Sequence, residues 1–209
     1  MFSLMGRSLV ATSELFNLFL FDEKLSFKRL DTERDFEILQ REFERADGTR
    51  LPTDYLKQGR AFICFNEHLV PQGGFALIDK CPFRTLQQIP GDAAQPVEAA
   101  MTEITGVCLL PGHPLRRTRF WSYVVGQTLC GHSSRIVYAV DARKSALRDR
   151  IFNHIRAHTL YEGPVKRLDG MVAETIEAVE LTTKVRLAKG FLRLAFRETE
   201  KLRPQFLKN

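Results

Sequence analysis

The chain has 209 residues, of which 44% are hydrophobic, so it can bury a full core and does not have the composition of a disordered protein. Its formal net charge of +6 predicts an acidic partner, such as nucleic acid, an anionic lipid surface, a phosphorylated ligand or an acidic protein. No block of Lys or Arg is longer than two residues, so a nucleic-acid-binding tail is not indicated.

The N-terminal segment carries a short apolar run at residues 16–21 (FNLFLF), which is too short to span a bilayer. We therefore expect an amphipathic helix over residues 7–21 that packs on the body, with contact to a membrane surface as a minority alternative. The cysteines show no CxxC spacing and no metal-like pairing with His, which favours a reducing, cytoplasmic location; they are Cys64, Cys81, Cys108 and Cys130.

The first half of the chain alternates between strand and helix patterns. Residues 25–30 predict a strand, 32–46 a helix, and 52–56 a short helix that Gly59 closes. Residues 61–65 and 69–79 predict a hairpin with a bulge in its second arm, where Pro71 and two glycines occur. Residues 81–100 predict a long, mostly irregular loop, and loops of that length are often functional.

The central feature is a buried strand from about residue 104 to 110, followed by a turn and a helix that begins at His113 or Pro114. Arg116, Arg117 and Arg119 lie near the start of this helix. Cations there oppose the helix dipole, so we expect them to meet an anion. The alternative is a solvated basic face.

The remaining patterns predict a strand at 135–140, a helix at 142–158, a pair of weak strands within 160–182 and a basic helix at 184–203. Together they predict a mixed α/β fold with one central sheet. We expect a single domain over residues 1–209, in which 1–24 and 183–209 are helical appendages.

Three segments resemble the GNAT-type acyltransferases. Residues 62–78 are similar to the second and third strands of that family, and 102–117 (TEITGVCLLPGHPLRR) to its fourth strand and acyl-donor loop. Residues 135–152 are similar to its fifth strand and the next helix. The resemblance covers residues 25–160 and implies a GNAT-like mixed central sheet flanked by helices.

At three positions the chain departs from the family pattern, and these departures indicate which branch of the family it resembles. No glycine pair follows Arg117, the usual Asn after the fifth strand is Arg143 or Lys144, and the frequent helix Tyr aligns with Phe152. These losses favour the branches that take acyl chains from acyl carrier protein.

Two such branches are similar to this chain. The E-x-[ST]-R signature of acyl-homoserine-lactone synthases resembles Glu103-Ile104-Thr105, with Gly106 in place of the Arg. Long-chain N-acyl amino acid synthases match the length and the abundant Phe. We favour the latter, because the N-terminal Trp region and the paired acidic residues of the lactone synthases are not found. This resemblance implies an amino acid acceptor, with tyrosine slightly preferred.

The implied reaction is the attack of an amine on a thioester, which needs a base and an oxyanion donor. Glu103 is the leading base, directly or through water, and Thr105 points to the same face of the strand. The alternative for Glu103 is a solvated carboxylate at a strand end. Backbone N–H groups from Cys108 to Leu110 would donate to the thioester oxygen if the strand is splayed from its neighbour. Cys108 is disfavoured as a nucleophile, because nothing near it in sequence lowers the thiol pKa.

The other candidate residues bind the two substrates. Arg116, Arg117 and Arg119 would meet the phosphate of a pantetheine arm, and Arg84 the carboxylate of an amino acid. A second basic group would extend towards the carrier protein, or is an ordinary exposed helix face; it comprises Arg143, Lys144, Arg148 and Arg150. The candidate acyl-chain pocket, for which a plain core is the alternative, comprises Phe62, Phe75, Phe120, Trp121 and Val124.

No bound cofactor and no metal are predicted. His154 and His158 have the i, i+4 spacing of a metal pair on a helix but lack a third ligand. The donor is expected to be acyl-phosphopantetheine on acyl carrier protein, with acyl coenzyme A as the alternative. Two further alternatives are an acyl-homoserine-lactone synthase and a non-catalytic GNAT-like module that binds an acidic protein or an anionic membrane.

Overall fold

The computed structural model of the chain describes residues 25–48, 50–80, 82–90, 100–112, 114–143, 155–166 and 172–193. Seven strands form one sheet in the order β1-β2-β3-β4-β5-β7-β6. All neighbours are antiparallel except β4 and β5, which are parallel. The strands are β1 Ser26–Arg29, β2 Gly59–Phe65, β3 Pro71–Ile78, β4 Met101–Leu109, β5 Arg135–Asp141, β6 His158–Lys166 and β7 Val172–Thr183.

The helices lie between these strands. They are α1 Glu33–Asp47, α2 Thr53–Leu56, α3 Arg84–Gln87, α4 Pro114–Leu129 and a helix over 184–193, called α5. Local signals fix both ends of α1. The Thr32 side chain accepts a hydrogen bond from the Asp35 backbone N–H at its start, and Gly48 adopts φ 75° at its end.

Each face of the sheet buries its own apolar core. On one face α1 packs through Phe36, Leu39 and Phe43, and Leu51 and Leu56 extend this core. On the other face α4 packs through Phe120 and Val124 against Phe62 and Phe75. Because side chains alternate along a strand, β4 contributes Met101 to the first core and Ile104 to the second.

Glycines let β3 approach β4 closely. A Cβ atom on Gly73 would lie 2.1 Å from the Cys108 carbonyl oxygen, so no larger residue fits there without a shift. Further along, Gly74 pairs with Cys108 and Ala76 with Thr105, so Gly106 and Val107 of β4 lie opposite Phe75 alone. This is a β-bulge, and Gly106 takes the positive φ of 61° that it requires.

The parallel pair β4 and β5 separates towards its carboxyl end. Their registered pairs run from Met101↔Arg135 to Ile104↔Tyr138, whereas β4 stays paired with β3 as far as Leu109. The second half of β4 therefore has β3 on one side and an opening on the other. The splayed inner strand that the resemblance implied is present.

Most predicted elements of the described residues are confirmed, with three corrections. Arg84–Gln87 form a helical turn inside the segment predicted to be irregular. His158 begins β6 instead of ending a helix, and Arg156 just before it has φ 51°. The expected weak strands are the long β6 and β7, so the sheet runs well past residue 160.

Several predictions lie wholly or partly outside the described residues: the helix over 7–21, most of the helix over 142–158, and residues 194–203 of the last helix. Among the described residues, no helix combines the length and the apolar character that crossing a bilayer requires.

Candidate active site

The candidate site surrounds Glu103 on β4, one residue before the pairing with β5 ends. Glu103 and Thr105 share the face of the sheet that packs against α1, because they are two residues apart on a strand. The short helices α2 and α3 cover this face and bring Tyr55, Arg84 and Thr85 over the carboxylate.

Three donors hold the Glu103 carboxylate, whose side chain is fully buried. The Tyr55 hydroxyl donates to Oε2 at 2.7 Å, and the Thr85 backbone N–H donates to the same oxygen at 3.3 Å. The Thr85 hydroxyl donates to Oε1 at 2.8 Å. The alternative of a solvated strand-end carboxylate is therefore wrong.

Burial and hydrogen bonding act on this carboxyl in opposite directions. Burial raises the pKa of Glu103, since the charged form loses its hydration, while the Tyr55 and Thr85 donors and the nearby Arg84 charge lower it. The raising effect is the larger, so the pKa of Glu103 lies above its ordinary value. A carboxylate shifted upwards is better matched to taking a proton near neutral pH.

Tyr55 connects the carboxylate to α3. Its hydroxyl oxygen accepts the Arg84 backbone N–H at 2.9 Å while its proton goes to Glu103. Burial and the adjacent Glu103 charge raise the pKa of Tyr55, so the phenol stays protonated at neutral pH.

Arg84 lies beside both predicted catalytic residues. Its Nη1 atom is 3.5 Å from the Thr105 hydroxyl, a long contact, and its charge lowers the pKa of Glu103 and of Glu177 on β7. Burial nevertheless keeps the pKa of Glu177 raised. Nε of Arg84 is buried and has no hydrogen-bond partner among the described residues. A buried donor without a partner is costly, so this atom is suited to an acceptor from a ligand.

The candidate donor residues lie after the carboxyl end of β4. Arg116 in the first turn of α4 donates from Nη1 to the Gln72 side-chain oxygen at 2.7 Å. Arg117 is exposed, and Arg119 is half-buried. The contact with Gln72 thus places Arg116 at the end of β4 where the strands have separated.

The predicted backbone donors require a correction. The Leu110 N–H donates to the Gln72 carbonyl oxygen on β3 at 2.8 Å, so it is not available to a thioester. Successive amides of a strand point to opposite sides, and the Cys108 amide therefore shares the β3 side. The Leu109 amide faces the other side, where β5 no longer pairs.

The five predicted acyl-pocket residues come together on the α4 face. Phe62 and Phe75 stack with ring centroids 5.0 Å apart, and Phe75 meets Phe120 edge-on at 5.8 Å. Trp121 contacts Phe120, and Val124 is fully buried in the same core. This is the packing of a core, so an acyl chain that entered here would have to displace these rings.

Of the remaining candidates, the structure describes Cys108, Arg143 and His158. Burial raises the pKa of the Cys108 thiol to about 12, which opposes a nucleophilic role. Arg143 forms an ion pair with Asp141 just after β5. Lys144, Arg148, Arg150 and His154 lie outside the described residues, and His158 begins the strand β6 instead of lying on the predicted helix.

Sequence reasoning missed Tyr55 and Thr85. Tyr55 is 48 residues from Glu103 in the chain, and Thr85 is 18 residues away. Both lie on helical turns of four residues, which are too short to show a periodic pattern. The sequence offered one signal for Thr85: it is a polar residue next to Arg84, which was itself selected as a cation for the acceptor carboxylate.

Comparison with solved structures identifies the fold. FeeM, an N-acyl amino acid synthase from uncultured soil microbes, is 12% identical and superposes with a TM-score of 0.61 over 84% of this chain and 99% of its own. An N-acetyltransferase from Staphylococcus aureus Mu50 is 11% identical, with a TM-score of 0.52 over 78% and 99%. The AHL synthase LasI is 10% identical, with a TM-score of 0.51 over 79% and 94%.

No family model matches the chain, and no curated protein matches it in sequence. At these identities the similarity concerns the fold, which is the GNAT-like α/β fold that the three sequence segments predicted.

Proposed function

We propose that this protein is an N-acyltransferase that joins a long-chain acyl group, delivered as a thioester on acyl carrier protein, to the amine of an amino acid. The observation that carries the proposal is the buried Glu103 carboxylate, held by Tyr55 and Thr85 with Arg84 alongside, where β4 and β5 separate.

The amine nitrogen attacks the thioester carbonyl, forming a C–N bond, and the C–S bond then breaks. Glu103 takes the proton that the amine loses. Because the Glu103 side chain has no exposed surface, this proton passes through a water molecule. The sulfur leaves as a thiolate and takes up a proton from solvent, so the products are an amide and a free thiol.

The carbonyl oxygen becomes negatively charged as the amine attacks. The Leu109 amide faces the opening beside β5, and a fixed backbone donor is suited to stabilise such an oxyanion. The amides of Cys108 and Leu110 point towards β3, so neither can donate to the oxyanion.

Arg84 is the proposed site for the acceptor carboxylate. Its Nη1 lies 3.5 Å from the Thr105 hydroxyl, on the face that holds Glu103, and its buried Nε has no hydrogen-bond partner in the described part of the chain. A carboxylate bound there would supply the missing hydrogen bond in the charge-assisted form that guanidinium groups favour. Thr105 would then contact the same substrate. The preference for tyrosine as the acceptor rests on the family resemblance.

The acyl donor is proposed to enter at the carboxyl end of β4. Arg116, Arg117 and Arg119 would meet its phosphate, and the missing glycine pair after Arg117 argues against coenzyme A. The similarity of the fold to FeeM, an N-acyl amino acid synthase, and to the AHL synthase LasI supports acyl transfer, and the carrier-bound donor is what the sequence resemblance implies. The acyl chain is proposed to lie between β4 and the aromatic cluster, displacing some of the rings around Phe75.

Mass spectrometry of lipid extracts from a host that overexpresses the protein tests this function. We expect an N-acyl amino acid to accumulate, and its head group will identify the acceptor. An N-acetylated amine would favour the coenzyme A alternative, and an acyl-homoserine lactone the lactone synthase. Extracts identical to those of the empty-vector host would contradict the proposal and favour a non-catalytic module.

A further inference from the structure

The tip of the β2–β3 hairpin exposes an apolar residue whose backbone conformation is unfavourable. Leu69 has φ 56° and is 75% exposed, and Val70 next to it is 50% exposed. The left-handed region is sterically unfavourable for a bulky residue. A leucine that faces solvent gains nothing from burial that would offset this cost.

Asn66 fixes this tip in place. Its side-chain oxygen accepts the backbone N–H groups of His68 and Val70, at 3.1 and 2.9 Å. Its backbone N–H donates to the Val70 carbonyl, and its own carbonyl accepts the Leu69 N–H, both at 3.1 Å. The outward direction of Leu69 is therefore built into the loop.

Gln72 joins the tip to the donor end of the candidate site. The side chain is almost fully buried, and its Nε2 atom donates to the Val70 and Pro71 carbonyls. Its Oε1 accepts from Arg116, and its backbone oxygen accepts from Leu110. One residue thus holds together the hairpin tip, the segment after β4 and the first turn of α4.

The resulting surface combines apolar and cationic groups. We define the hairpin-tip surface as Leu69, Val70, Leu110 and Arg117, all of which are exposed. Leu110 directly follows β4, so this surface lies at the end of the opening where a donor would enter. Exposed apolar side chains rimmed by charge are typical of a site of macromolecular association.

We propose that the hairpin-tip surface docks the acidic protein that carries the acyl thioester; this inference rests on the proposed function. Leu69 and Val70 would bury their side chains against it, and Arg117 would pair with its carboxylates. Glu67 is also exposed at the tip. A uniformly anionic lipid surface would repel Glu67, whereas a protein with discrete charges can leave it at the rim in water.

The test uses Leu69→Asn in the full-length protein, because Asn tolerates the left-handed conformation and removes the apolar side chain. Leu192→Asn on α5, where the leucine is also exposed, is the matched control. Titration calorimetry measures binding of palmitoyl acyl carrier protein, and kinetics compare this donor with palmitoyl-pantetheine, which lacks the protein.

We expect Leu69→Asn to weaken carrier binding and raise the KM for the carrier-bound donor about tenfold, as for a central interface residue. The KM for palmitoyl-pantetheine should not change, and Leu192→Asn should match wild type for both donors. Unchanged carrier binding in Leu69→Asn, or equal losses with both donors, would overturn the proposal.

Two further outcomes separate the hypotheses. If the wild-type protein binds phosphatidylglycerol vesicles and Leu69→Asn abolishes only that binding, the surface belongs to a membrane and the carrier proposal is wrong. If neither donor supports transfer, the proposed function fails, while the calorimetric comparison still decides the docking surface. A wild-type protein that does not bind the carrier would overturn the docking proposal.

Discussion

The Tyr55 hydroxyl donates a 2.7 Å hydrogen bond to Oε2 of Glu103, across a separation of 48 residues in the chain. This bond ties the short helix α2 to the central strand and lowers the pKa of a carboxyl that burial raises. The same phenol oxygen accepts the first backbone N–H of α3. Tyr55 therefore positions the proposed base and the turn that carries Arg84.

Replacing Tyr55 by Phe should move the acidic limb of the pH–rate profile to higher pH. The hydrogen bond lowers the pKa of Glu103, so its loss raises that pKa further, and the carboxylate needed as a base then forms only at higher pH. The pH dependence of kcat/KM measures the shift.

Tyr55→Phe should also lower the free energy of unfolding by about 1–3 kcal/mol, since a buried carboxylate and a buried N–H each lose a partner. Tyr161→Phe is the control, because that phenol donates only to the Pro164 carbonyl at the surface. A variant with the wild-type pH profile would show that Tyr55 does not tune Glu103.

Replacing Arg84 by Met should impair recognition of an amino acid through its carboxylate. We expect the KM for tyrosine to rise about 10- to 100-fold, which corresponds to the loss of a charge-assisted hydrogen bond. Tyrosine methyl ester lacks the carboxylate, so its KM should not change, while the loss of the Arg84 charge, which lowers the pKa of Glu103, should shift the pH profile with both substrates alike.

The matched control for Arg84→Met is Arg45→Met, whose guanidinium pairs with Glu42 on α1. Steady-state kinetics with both substrates decide the question. An equal rise in KM for tyrosine and for its methyl ester would show that Arg84 does not bind the acceptor carboxylate.

Replacing Gly106 by Ala should disturb the bulge that shapes β4. Gly106 has φ 61°, and an added Cβ would lie 2.7 Å from Leu51 Cδ1. We expect the free energy of unfolding, measured in urea, to fall by about 1–3 kcal/mol. Acyl transfer should fall further than stability alone explains, because the bulge sets where Leu109 and the opening lie.

Gly126→Ala is the control, and it should raise the free energy of unfolding where Gly106→Ala lowers it. Gly126 lies in α4, and an added Cβ would meet nothing within 4 Å. This substitution should stabilise the protein by about 0.5–1 kcal/mol, because Ala loses less entropy in a helix. If Gly106→Ala were as stable and active as wild type, the bulge would have no role in the site.

The sequence predicted the parts of the site that depend on local periodicity. Glu103 and Thr105 share a face because side chains alternate along a strand, and the apolar run around them predicted the buried centre of the sheet. Arg84 was predicted only because it is a cation in the long loop after β3. Its contact with Thr105 depends on tertiary packing, which local sequence patterns do not predict. Tyr55 and Thr85 were missed, because tertiary packing alone brings two four-residue turns over β4.

The errors at the far edge of the sheet also have physical reasons. The apolar spacing of Leu147, Ile151 and Ile155 predicted a helix that continued to residue 158, but Arg156 takes a positive φ and His158 starts β6. The strand β7 carries acidic residues, among them the buried Glu180, and these interrupt the apolar pattern from which a strand is predicted.

Glu103→Gln tests the account most directly, because Gln keeps the size of the side chain and cannot act as a base. Glu42→Gln, a buried acid on α1 that pairs with Arg41 and Arg45, is the control. The measurement is the rate at which each purified protein forms N-palmitoyl tyrosine from palmitoyl acyl carrier protein, followed by mass spectrometry. We expect Glu103→Gln to lose about 10²- to 10⁴-fold in kcat with carrier binding unchanged, and Glu42→Gln to retain its activity. A Glu103→Gln protein that turns over at the wild-type rate would contradict the assignment of Glu103 as the base.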